Sequence, residues 1–229
     1  MIALGVVPAR GGSKGIPHKN LALLAGRPLL AYTADAARAS RRLARVVLST
    51  DSSEIAAAGA ALGLDVPFMR PAVLSTDDTP MLPVLQHALE TLATAGFAAD
   101  VVVLLQPTSP LRRAEHIDAA IDLLESSGAD SVVSVVEVPH QYHPWSVMTI
   151  DNDRLRPIAD RPTATRRQDK PPVYARNGPA VLAVRATVLR AGSLYGDASC
   201  PVVMSPRESL DIDDAWDLEL ADLILSKRT

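Results

Sequence analysis

Short apolar runs alternate with helix-patterned stretches along most of this chain, and no other feature constrains its fold as strongly. Chains patterned this way build a largely parallel sheet with helices on its faces. Ile2–Val7, Val46–Leu48, Val66–Met69, Ser131–Val136, Ala180–Val184 and Val202–Met204 read as strands. Val101–Leu105 is apolar at every position, as a central strand buried on both faces should be. Between them, helices are expected from Pro28 to Arg38, from Ser52 or Ser53 to Leu62, and from the Asp77–Pro80 opening to near Gly96. Ile117, Ala120, Ile121 and Leu124 give the segment Ala114–Ser127 a helical period, with Gly128 as its stop, and a last helix begins at about Asp214. At 229 residues the chain suits one α/β domain spanning 1–229. With aromatics at 3%, its core must be built from Ala, Val, Leu and Ile.

From Glu137 to Tyr174 the alternation breaks into a proline-rich stretch with clustered Arg and Asp. Val147–Ile150, the turn Asp151-Asn152-Asp153 and Arg154-Leu155 read there as a hairpin. An insert of this length, about 138–175, is of the kind that carries function or forms an interface.

The first strand ends at Pro8 in a loop holding Gly11, Gly12 and Gly15 with the cations Arg10, Lys14 and Lys19. Glycines let the backbone approach a ligand closely, and fixed cations at that spacing suit a polyanion such as a nucleoside triphosphate. The competing reading is a surface turn of solvated charges; the position directly after a buried strand favours a ligand loop. The spacing excludes Walker A, since Ile16 follows Gly15, and excludes the dinucleotide fingerprint, whose first G-x-G is missing.

Near the other end stands Ser209-Leu210-Asp211-Ile212-Asp213-Asp214. In an extended chain Asp211 and Asp213 share a side while Leu210 and Ile212 pack inward. Two convergent carboxylates suit a hard cation, Mg²⁺ or Mn²⁺, which completes its shell with water and phosphate. Capping of the last helix explains Asp214 but not Asp211. The other D-x-D, at Asp151, reads as a solvated turn. Arg70, with hydroxyls on Ser75, Thr76 and Thr79 beside Asp77, could serve a base or ribose, or be an ordinary capped loop.

A formal net charge of −3 argues against nucleic acid as partner. Cys200 is alone, so no disulfide framework is expected, and the five histidines lack cysteine neighbours, which disfavours zinc. Neither a signal peptide nor a membrane span is legible, and a soluble cytoplasmic protein is expected.

The run PARGGSKGIPHKN resembles the signature of the acylneuraminate cytidylyltransferases, the CMP-sialic acid synthetases, and is less similar to the loop of the CMP-Kdo synthetases. The resemblance extends over nearly the whole chain. It implies a nucleotidyltransferase (Rossmann-like, GT-A-like) domain with a mostly parallel sheet, in which an inserted dimerisation arm makes a homodimer. It implies transfer of CMP from CTP to a 2-keto-3-deoxy acid sugar of sialic, legionaminic or pseudaminic type. Kdo or phosphonate acceptors, or a nucleotide-sugar-dependent glycosyltransferase, are the alternatives. The opening loop then gives nucleotide-binding Ala9, Arg10, Gly11, Gly12, Lys19 and Asn20, with Arg10, Lys14 and Lys19 also catalytic. Arg70-Pro71 through Asp77 is similar to the family's R-P-x-x-L-x-x-D, adding Arg70, Ser75, Asp77 and Thr79. QPTSPLR gives acceptor-binding Gln106, Thr108 and Ser109, and the later stretch gives Arg167, Tyr174 and Asn177. SLDIDDAWDLE carries over the metal-binding role to Asp211 and Asp213. The family more often reads Y-R-x-N-G-A where this chain has Tyr174-Ala175-Arg176-Asn177-Gly178-Pro179, so the arginine is displaced by one and a proline replaces alanine. In a strand that displacement turns the arginine to the opposite face.

Overall fold

The computed structural model describes residues 1–13, 15–159, 166 and 169–227. The strands in chain order are β1 (Ala3–Pro8), β2 (Leu23–Leu24), β3 (Arg27–Pro28), β4 (Leu43–Ser49), β5 (Val101–Leu104), β6 (Ser131–Glu137), β7 (Met148–Asp151), β8 (Arg154–Pro157), β9 (Tyr174–Arg176), β10 (Leu182–Arg185) and β11 (Ser199–Met204). The helices are α1 (Leu29–Ala39), α2 (Ser53–Ala61), α3 (Met81–Thr94), α4 (Ala114–Ser127), α5 (Ala186–Arg190) and α6 (Ala215–Ser226).

The main sheet runs β11-β6-β10-β5-β1-β4, with β9 added against β6. β4, β1 and β5 pair in parallel, as do β6 and β11, while β10 runs antiparallel to β5 and β6. Alternate residues of the buried strands supply the two faces. Val7, Val101, Val103 and Val132 pack with Leu30, Ile117, Ile121 and Leu124 on one side. Leu4, Val6, Val102 and Leu104 pack with Leu85, Leu89 and Leu189 on the other. The aliphatic core expected from composition is therefore split by the sheet into two layers.

Helix boundaries follow local chemistry. The Ser52 hydroxyl accepts from Ile55 N–H at the start of α2, and Asp214 caps α6 through Trp216 N–H and Asp217 N–H. Asp217 reciprocates by accepting from Asp213 N–H and Asp214 N–H, completing a capping box. Gly128 closes α4 in the left-handed region at φ 70°.

One expected strand is corrected. Val66–Met69 forms none; only a single parallel bridge joins Asp65 to Val47. The segment runs beside the β4 edge without a continuing ladder, so β propensity there has no partner strand to act through. The hairpin is present as β7 and β8, with Asn152 and Asp153 at φ 50° and 58° in its turn. Both residue types tolerate that region.

A third apolar cluster matters most for the site. Ile212 and Ala221 pack against Leu24 and Leu29, with Ile16, Leu210 and Leu218 around them. Ile212 is fully buried, an interaction worth about 1.5–3 kcal/mol. It fastens the start of α6 to the stretch that follows the opening loop.

Candidate active site

The parallel strands deliver their carboxyl ends to one edge of the sheet, where ligands bind in such folds. Residues after β1, β4 and β5 meet there around a cleft of about 390 Å³. Arg10, Gly15, Lys19 and Asn20 line it from the opening loop, Arg70, Thr76, Asp77 and Thr79 from the third loop, and Gln106, Thr108 and Asp213 from the far wall.

The two ends of the chain touch across this cleft. The Lys19 ammonium donates to Ile212 O at 2.9 Å and Asp213 O at 3.1 Å, and stands 4.0 Å from Asp213 Oδ1. A Cβ added at Gly15 would lie 2.4 Å from Asp213 O, so the close approach itself requires glycine. Gly11 N–H donates to Asp51 Oδ1 at 2.9 Å, and Asn20 Nδ2 donates to Arg10 O at 3.0 Å, holding the loop's first turn. Ala9 is buried and donates its N–H to Ser49 O, a ladder contact that steers the chain out of β1. Among the described residues nothing stands within 4 Å of where a Gly12 side chain would be.

Arg10 pairs with Asp77 at 2.5 Å across the mouth. Arg70 is buried, and its guanidinium donates to Ser49 Oγ at 3.1 Å, to Ser49 O and to Leu74 O. Burial pushes its pKa down to about 10, while the Asp51 carboxylate opposes the shift and the Arg10 charge reinforces it. Thr76 and Thr79 share a hydroxyl–hydroxyl bond of 2.7 Å at the rim. Ser75 lies outside the cleft lining, its hydroxyl turned to Pro71 O.

Behind the far wall, Ile212 N–H donates to Thr108 O at 2.8 Å and Ser109 Oγ donates to Asp211 Oδ1 at 3.4 Å; Ser109 and Asp211 lie outside the cleft lining itself. Burial raises the Asp211 pKa, hydrogen bonds from the Thr108 and Ser109 side chains oppose this, and the nearby Asp213 charge adds to it. Asp213 is 84% exposed, so the pair offers one recessed and one solvated carboxylate. Gln106 Nε2 donates to Gly178 O at 3.1 Å.

Several expected site residues lie elsewhere. Tyr174 is exposed on β9, and Asn177 is buried with its amide committed to internal hydrogen bonds, so neither faces the 390 Å³ cleft. Lys14 and Arg167 lie outside the described residues. Arg176 stacks over the Tyr195 ring at 4.7 Å. The D-x-D at Asp151 is a turn, with Asp151 accepting from Arg156 and Asn152. A second, larger cleft of about 910 Å³ opens at the base of the insert, between Glu137–His140 with His143, Lys170–Val173 and Val203–Pro206.

Sequence reasoning assigned no role to Arg112. This buried guanidinium donates to Gln106 O, Ala180 O and Thr33 Oγ1, knitting the loop after β5 to the chain entering β10. Its pKa falls to about 9 through burial, with Asp211 opposing. A charged residue ending a proline-rich turn straight after a buried strand was the available signal.

Residues 4–190 match the family model described as cytidylyltransferase. The chain is 34% identical over 228 residues to the CMP-N,N'-diacetyllegionaminic acid synthase of Legionella pneumophila, covering 98% of this chain and 97% of that one. It is 32% identical over 226 residues to the N-acylneuraminate cytidylyltransferase of Escherichia coli O18:K1:H7, of which it spans only 52%. Among solved structures, a CMP:2-keto-3-deoxy-manno-octonic acid synthetase complexed with CTP superposes over the whole of both chains with a TM-score of 0.73 at 17% identity, a likeness of fold.

Proposed function

Since this chain belongs to the acylneuraminate cytidylyltransferase family, we propose that it transfers CMP from CTP to the anomeric hydroxyl of a 2-keto-3-deoxy acid sugar of the sialic, legionaminic or pseudaminic acid type. The observation that carries this reading is the meeting of the opening loop with the aspartate segment, through Gly15, Lys19, Ile212 and Asp213 at one cleft. Cations for a triphosphate then stand beside the Asp213 carboxylate at the cleft, with Asp211 recessed behind it.

In the reaction the acceptor oxygen attacks the α-phosphorus in line; that O–P bond forms as the bond to the bridging oxygen breaks, and pyrophosphate leaves. Positioning and charge neutralisation supply most of such catalysis. Lys19, braced by two carbonyls, holds its charge at the seam between loop and aspartates. Arg10 exchanges Asp77 for phosphate oxygens as nucleotide enters. Arg70, fixed by its own hydrogen bonds, gives the nucleoside end a rigid donor wall. Gln106 orients the acceptor beside Asp211.

The donor set fits Mg²⁺ or Mn²⁺. Asp211 and Asp213 are hard oxygen donors close enough to perturb each other. Two carboxylates would leave the rest of such an ion's shell to water and phosphate. When bound there, the ion would supply charge neutralisation at the phosphates and acidify the acceptor hydroxyl.

The insert supports a homodimer. β7 and β8 form a separate two-stranded ribbon, which is marginal alone, and it exposes Ile150 (76%), Leu155 (66%) and Ile158 (57%). A second copy covering these residues would supply what the ribbon lacks. Among the described residues no helix is long and apolar enough to cross a membrane.

The test is pyrophosphate release from CTP with a panel of acidic acceptors, with Asp211→Asn as the control. Release that depends on a nine-carbon keto acid and fails in the variant is expected; release with Kdo alone, or none with any acceptor, would overturn the assignment.

A further inference from the structure

Asn177 is an amide buried at 5% exposure, and every polar atom of its side chain is engaged. Its Oδ1 accepts from Ser134 Oγ at 2.6 Å and from Ala180 N–H at 3.4 Å. Its Nδ2 donates to Ser209 Oγ at 2.9 Å and approaches Met204 Sδ at 3.4 Å. The proton directions are consistent throughout. Ser134 Oγ accepts from Val181 N–H, which leaves its own proton for Asn177, and Ser209 Oγ passes its proton to Ser205 O at 2.8 Å. The amide orientation is thereby fixed.

This side chain joins the two walls that seat Asp211. One wall is Gly178, the next residue. A Cβ built there would stand 3.3 Å from Asp211 Oδ2, so the carboxylate rests on the bare α-carbon of a residue at φ 116°. The other is the 205–209 turn, which Asn177 reaches through Ser209 and which leads directly into Asp211. Gly178 O also receives the Gln106 amide, so a shift of this turn would move Gln106 as well.

We infer that Asn177 is a positioning residue: it locks the Gly178 turn to the 205–209 turn and so fixes the direction in which the Asp211 carboxylate presents its oxygens to the metal. This deepens the proposed function and rests on Asp211 being a metal ligand. Groups that orient a ligating carboxylate alter metal affinity by about 10–100-fold when removed.

The experiment measures Mn²⁺ binding by electron paramagnetic resonance in the presence of CTP without acceptor, alongside CTP binding in EDTA and the melting temperature. The variants are Asn177→Ala, Ser209→Ala and Asp211→Asn. Ser209→Ala removes the Asn177 link to the aspartate segment together with the bond to Ser205 O, leaves Asn177 in place, and serves if Asn177→Ala does not fold. The expected result is Mn²⁺ affinity lowered about tenfold in Asn177→Ala or Ser209→Ala, with metal-free CTP binding within twofold of the parent. A parallel rise in the Mg²⁺ concentration for half-maximal rate is expected, with kcat largely recovered at saturating Mg²⁺. Unchanged Mn²⁺ affinity in Ser209→Ala and in any folded Asn177→Ala, with loss in Asp211→Asn, overturns this inference alone. Unchanged affinity in Asp211→Asn as well overturns the metal assignment and this inference with it.

Discussion

Asp211 carries its charge against its surroundings, because burial favours the neutral acid more than the neighbouring hydroxyls favour the anion. A folded-state pKa above the unfolded one means that stability is intact at low pH and is lost as pH rises through the folded value. Asp211→Asn should therefore raise the melting temperature of the ligand-free protein at pH 8, by about 2 °C, with the gain vanishing as pH falls toward 4. The same variant should lose orders of magnitude in turnover. Calorimetry against pH together with steady-state rates checks both halves. Lys19→Ala should raise KM for CTP about tenfold or more, the worth of one charge-assisted hydrogen bond, and titration of initial rates with CTP reads it directly. At this scale the sequence exposed the chemistry but not the burial. Asp211, Asp213, Lys19 and Gln106 could be named from spacing and resemblance, whereas Asn177, an expected acceptor contact, is turned inward. Arg112 stands within the QPTSPLR motif, where the pattern gives it no role. No local pattern distinguishes a buried donor fork from an exposed one, since burial is decided by residues far along the chain.

At the scale of elements, the tightest fit is between the opening loop and the segment before α6. Gly15→Ala must move Asp213 or the loop, since the added carbon would sit 2.4 Å from a backbone oxygen. A displacement of that order is expected to cost about 100-fold in kcat/KM, with the melting temperature nearly unchanged because both partners are loops; kinetics and thermal melts on one preparation settle it. The β7–β8 turn gives the opposite expectation. Asp153→Gly relieves a positive φ at an exposed position and should leave CTP turnover at the parent level, as an activity assay would record. Helix ends were legible because their signals are local: Ser52, Gly128 and Asp214 act within one turn of themselves. The expected strand at Val66–Met69 was misread because a strand exists only through its neighbour, and there the pairing amounts to a bridge between Asp65 and Val47.

For the whole molecule, the alternation of strands and helices was sufficient to read the architecture, including a central β5. That β10 is reversed between β5 and β6 was not legible, since apolar pattern carries no strand direction. The hairpin's exposed apolar residues lead to a further expectation: if the proposed dimer forms through them, Ile150→Asp combined with Leu155→Asp should yield monomer in sedimentation velocity where the parent gives dimer, leaving the far-ultraviolet dichroism unaltered. The bond from Lys19 to Ile212 spans 193 positions of sequence. During synthesis the opening loop must therefore wait, without that bond, until Ile212 has left the ribosome. A polypeptide released before that residue would lack the contact that joins the two segments.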